Sequence, residues 1–117
     1  MNQPQAPLRV YIEEDDGQLV AQCVDIDIIG FGSTPDEAIQ SFIRAYIRMC
    51  LVAHQADKAV DDLPPPSADL VAKWDRATSE HKQVMHFSIP NFALRPHRGD
   101  ETTCDPRNVQ AVLAAAG

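Results

Sequence analysis

The chain has 117 residues, 44% hydrophobic and 23% charged, with seventeen acids against ten bases and a formal net charge of −7. That length fits one compact domain with a short appended segment, large enough to bury a core without disulfides or metals. No apolar run reaches the roughly 20 residues of a membrane-spanning helix. Residues Met1 to Pro7 lack the parts of a signal peptide, and the three cysteines (Cys23, Cys50, Cys104) show no close pairing, so a cytoplasmic location is expected.

Residues 1–7 are polar and proline-rich and are expected to be disordered. Leu8, Val10 and Ile12 then alternate with Arg9, Tyr11 and Glu13, the period-two pattern of a strand with one buried face. Glu14-Asp15-Asp16-Gly17 follows, and Asp-Gly supplies the positive backbone angles of a tight hairpin. A second strand carries Leu19, Ala21 and Cys23 on one face with Val20 and Val24 on the other. After a break at Asp25-Ile26-Asp27 comes a third apolar run, Ile28 to Phe31, with Gly30 and Gly32 bracketing Phe31, so a bend or bulge is expected there.

Thr34, Pro35 and Glu37 form the start of a helix: cap, first-position proline and the distal half of a capping box. Ile39, Phe42, Ile43, Tyr46, Ile47 and Cys50 make one apolar stripe, with Gln40, Arg44 and Arg48 opposite, and the helix should run to about His54 or beyond. Pro64-Pro65-Pro66-Ser67 ends the helical region. A second helix is expected from Ser67, using Leu70, Val71, Trp74 and Ala77. A strand from Val84 to Ile89 should bury Met85, Phe87 and Ile89, either as a fourth strand or as a subunit contact. Residues 91–105 read as loop, and a last short helix is expected with Asp105 as cap and Pro106 at its first position, burying Val109, Val112 and Leu113. The expected fold class is α/β (α+β): a three-stranded antiparallel sheet with one long helix (β-β-β-α), plus an extra helix and strand in the C-terminal half.

Charge is uneven. Residues 8–66 hold eleven acids against four bases, so the whole formal −7 lies there, while residues 67–117 balance six against six. An acidic domain opposes nucleic acid and favours a basic protein partner.

The set Asp15-Asp16-Gly17, Leu19-Val20-Ala21, and Gly32-Ser33-Thr34-Pro35-Asp36-Glu37-Ala38 leading into an amphipathic helix resembles the HicB-type antitoxin family over roughly residues 8–67. The resemblance implies a truncated ribonuclease H-like domain, with residues 68–117 as a C-terminal extension, either separate or integrated with the same core. It also implies a non-catalytic protein that docks a small basic RNA-cleaving toxin of the HicA type and forms homodimers or higher homo-oligomers. The acids Glu13, Glu14, Asp15, Asp16, Asp25 and Asp27 are the expected partner-binding residues, exposed on the sheet side away from the helix. Two departures stand out. Val24-Asp25-Ile26-Asp27-Ile28 replaces the family's Pro-x-x-Pro-Gly turn, and the C-terminal half matches no DNA-binding module. Arg95, Arg98 and Arg107 are sparse among Asp100, Glu101 and Asp105, so no DNA binding is expected from this chain alone.

Other functions leave weaker marks. A ribonuclease H-related nuclease would need the pairs Glu13/Asp15 and Asp25/Asp27 to converge on metal ions, and nothing in the sequence brings them together. His81, His86, His97 and Cys104 have no zinc-site spacing, and Cys104 near His97 does not define a nucleophile. No catalytic residue, metal or cofactor is expected. The alternative to an antitoxin is a structural or oligomeric protein of the same fold without a toxin.

Overall fold

A computed structural model describes residues 6–62, 68–79, 84–94 and 102–114. It is a mixed α+β fold built on a five-stranded sheet, with two helices and a separate two-stranded sheet.

Strands β1 (Leu8–Asp15) and β2 (Gln18–Cys23) form the expected hairpin, with Asp15 opposite Gln18. The two residues between them, Asp16 (φ 53°) and Gly17 (φ 85°), both have positive φ. That pair of angles matches the right-handed twist of the flanking strands. Strand β3 (Ile29–Gly32) continues the antiparallel meander along β2.

Helix α1 (Pro35–Gln55) starts as its sequence requires. The Glu37 N–H donates to Thr34 Oγ1 at 3.2 Å, and the Glu37 carboxylate accepts from the Ser33 N–H at 2.8 Å. At the other end Asp57 adopts φ 57°, its N–H donates to the His54 carbonyl, and the Lys58 N–H reaches back to the Ala53 carbonyl. This is a Schellman closure with aspartate where glycine is usual. The helix buries Ala38, Ile39, Phe42, Tyr46, Cys50 and Ala53, while Gln40, Arg44 and Arg48 face solvent.

The glycines of β3 explain how close α1 lies. Gly30 and Gly32 point to the helix, and a Cβ at Gly30 would meet the Phe42 nitrogen and the Ala38 carbonyl oxygen. Instead of a bulge, the two glycines give β3 a flush face, and Ile29 and Phe31 project from the other one.

The C-terminal half corrects the expected sheet. The expected closing helix is instead strand β7 (Arg107–Leu113), lying between β1 and β4 (Val84–Ile89) in the order β3-β2-β1-β7-β4. It runs parallel to β1, Leu8 opposite Val109, and antiparallel to β4. The physical reason is burial on both faces: Val109 and Ala111 enter the core under α1, and Val112 enters a second core under α2 (Ala68–Ser79). Pro106 fits an extended approach as well as a helix start, because its φ suits both. Leu113, expected inside, is 40% exposed.

Segment 91–105 is likewise not all loop: β5 (Phe92–Leu94) and β6 (Thr102–Cys104) pair antiparallel, and Phe92 meets the Tyr46 ring edge-on at 6.4 Å between centroids. In β4, Ile89 is buried, Met85 and Phe87 are half-buried and His86 is exposed. The proline run 64–66, Ser67, and the residues His81, Arg95, His97 and Arg98 lie outside the described residues. Among the described residues no helix is long and apolar enough to cross a membrane.

Candidate functional site

Cross-strand partners share a face, which sets the geometry of the sheet side opposite α1. Row by row it reads Phe31, Val20, Glu13, and then Ile29, Gln22, Tyr11, Val112, Val84. Helix α2 covers one half of this side: Leu70, Trp74 and Ala77 pack on Tyr11, Val24 and Val112. The other half, over β2 and β3, has no helix on it among the described residues. There Ile29 is 39% exposed and Phe31 is 47% exposed, beside a Val20 that is only 6% exposed. Strands β2 and β3 carry no charged residue, so the open strip is uncharged, with Gln18 and Gln22 beside Val20, Ile29 and Phe31.

The six acids named from the sequence flank this strip in two groups. Glu13, Glu14, Asp15 and Asp16 sit at the β1–β2 turn, and Asp25 and Asp27 lie in the loop at the opposite end of β2. The ends are about 13 Å apart along the strand, taking the four steps from Arg9 to Glu13 at roughly 3.3 Å each. Two of the six are engaged within the chain. The Asp25 carboxylate accepts from Arg9 Nε at 3.1 Å, Arg9 Nη2 at 2.7 Å and the Arg9 N–H at 2.9 Å. This contact raises the Arg9 pKa above its ordinary value. Glu13 is half-buried and accepts from Lys73 Nζ at 3.2 Å, tying α2 to β1. Glu14, Asp15, Asp16 and Asp27 are exposed. Strand alternation places Glu14 on the α1 side and Asp15 on the open side. The acids are therefore two end groups, with apolar side chains between them that sequence reasoning did not name.

The paired acids considered for two-metal chemistry stand at these opposite ends and do not converge. No group of three or more His, Cys, Asp or Glu side chains suited to a metal occurs among the described residues.

A separate cleft of about 240 Å³ lies between α1 and the small sheet, lined among others by Tyr46, Cys50, His54, Leu94 and Cys104. Burial pushes the Cys50 thiol up to about 11 and raises Cys104 and Cys23 as well. These thiols are held protonated at neutral pH, the wrong state for a nucleophile. The nearby Arg107 is 5% exposed, donating from Nε to the Ala6 carbonyl at 3.0 Å and from Nη1 to Asp61 at 2.9 Å. It is a structural arginine, so it offers no surface charge to nucleic acid.

Comparison with protein-family models, with curated protein sequences and with solved structures finds no match to this chain.

Proposed function

We propose that the protein is a non-catalytic binding module of HicB-like type, which docks a small basic protein partner and, as an antitoxin, blocks an RNA-cleaving toxin of the HicA type. The observation that carries the reading is the sheet side that α2 only half covers: an uncharged strip exposing Ile29 and Phe31, with acids at both ends. An RNA-binding enzyme presents a basic face to its substrate, and an acidic surface attracts that face and can exclude the substrate from it. The β-β-β-α segment, with its Asp-Gly hairpin and its capping box, follows the pattern on which the HicB resemblance rests.

The test uses the purified chain to recover partners from the source cell. The expected outcome is a small basic protein that cleaves RNA alone and stops doing so when this chain is added. Its retention should weaken with salt and with the Asp15→Asn/Asp16→Asn/Asp27→Asn variant. Recovery of no such protein, or retention indifferent to these changes, overturns the reading.

A further inference from the structure

We propose that the uncovered half of the sheet is a slot for one helix, and that its occupant is an amphipathic helix of the partner with basic residues near both ends. The inference rests on the reading above for the partner's charge and adds the partner's shape.

The width of the slot comes from packing geometry. Helix α2 packs over β1 and β7. The boundary between β2 and β3 lies two strand spacings away, about 10 Å. Packed helices lie about 8–10 Å apart, so the next helix position beside α2 falls over β2 and β3. Helix α1 already occupies the matching position on the opposite side, against β2 and β3. Among the described residues the sheet thus has a helix on one side of β2–β3 and none on the helix-wide strip of the other, floored by Val20, Gln22, Ile29 and Phe31.

A strand is a poorer occupant than a helix. Strand β3 has only four residues, and its Phe31 N–H donates to Ser41 Oγ of α1 at 3.1 Å, which blunts the edge against strand addition. A second copy of this chain is also disfavoured, because its acids would meet Asp15 and Asp16 at one end or Asp27 at the other. Charge selects a basic occupant, and the exposed Ile29 and Phe31 between the acids select an amphipathic one. Bridging about 13–20 Å takes roughly three helical turns at 1.5 Å per residue, so its Lys or Arg residues should stand about three turns apart.

The probe is a side-chain-stapled helical peptide of about 14 residues. It has leucines at i, i+3, i+4 and i+7 and lysines at both ends, and its control carries glutamates in place of the lysines. Fluorescence anisotropy with the full chain should show binding of the lysine peptide and not of the control. Ile29→Ser/Phe31→Ser should weaken binding by at least about tenfold. Both residues are exposed, and circular dichroism checks that the variant is folded. No binding of the lysine peptide, or equal binding of the control, overturns the slot. Binding that depends on Asp15 and Asp27 but ignores Ile29 and Phe31 also overturns it, while leaving the basic-partner reading intact. Binding that ignores the acids overturns both.

Discussion

The two sides of the central sheet obey different rules. On the α1 side the core is continuous: Leu8, Val10 and Ile12 of β1, Ala21 and Cys23 of β2, and Val109 and Ala111 of β7 close against the helix with Ile39, Phe42 and Tyr46. On the α2 side the same strands present a closed half around Trp74 and an open half around Phe31. A sheet stabilised by one complete side can leave part of the other free for recognition. Substitutions on the first side should therefore unfold the chain, and substitutions on the open half should leave it folded.

The largest effect should come where α1 touches β3. Gly30→Val sets a side chain against the backbone of Phe42 and Ala38, and backbone cannot rotate aside as a side chain does. A loss of about 3 kcal/mol or more is expected in urea unfolding. A loss below about 1 kcal/mol would mean that α1 is free to shift and that the two sides differ less than stated.

Next is Arg107. Its guanidinium is buried and bonds both the segment leading into β1, at Ala6, and the turn after α1, at Asp61. Arg107→Met removes both contacts while keeping much of the packing, and Asp61 is exposed enough to recover water. A loss of about 2–3 kcal/mol is expected, smaller than for a fully buried pair.

A third, smaller effect is alkaline. Burial raises the Cys50 thiol from 9.0 to about 11 in the folded chain. A raised folded pKa contributes stability that is complete below the unfolded value and is lost as pH rises through the folded one. Between pH 9 and 11 the wild type should lose on the order of 1–2 kcal/mol more stability than Cys50→Ala does, read by urea titration at each pH. Equal slopes would show that the thiol titrates as if exposed.

Local elements were legible and distant ones were not. The Asp16-Gly17 turn and the Thr34–Glu37 cap act within a few residues, whereas the closure of α1 uses Asp57 at positive φ where a glycine would have marked it. The strand β7 was hidden because its partner β1 lies about a hundred residues earlier, while Asp105-Pro106 imitates a helix start. The acids were readable as residue types, but the pairing of Asp25 with Arg9 and of Glu13 with Lys73 depends on tertiary approach. One further signal lies where a bend or bulge is expected. Gly30-Phe31-Gly32 is a period-two pattern with no side chain on one face, which marks a strand pressed flush against a helix and turning Phe31 outward.

The smallest effect is the one that decides whether that outward face is truly open. Phe31 is 47% exposed, pairs across the strand with Val20, and has no helix above it among the described residues. Phe31→Ser forfeits a cross-strand contact worth about 0.2–1 kcal/mol and some strand preference, but it leaves no cavity. Its stability loss should stay below about 1 kcal/mol, a shift of a few degrees in Tm for a domain of this size. That contrasts with about 3–5 kcal/mol for emptying an aromatic site in a closed core. Differential scanning calorimetry separates the two outcomes. A large loss at Phe31 would mean that this half of the sheet is a sealed core, and the distinction between the two sides would collapse. A small loss leaves an aromatic side chain in water with little role in holding the fold, and the distinction between the two sides stands.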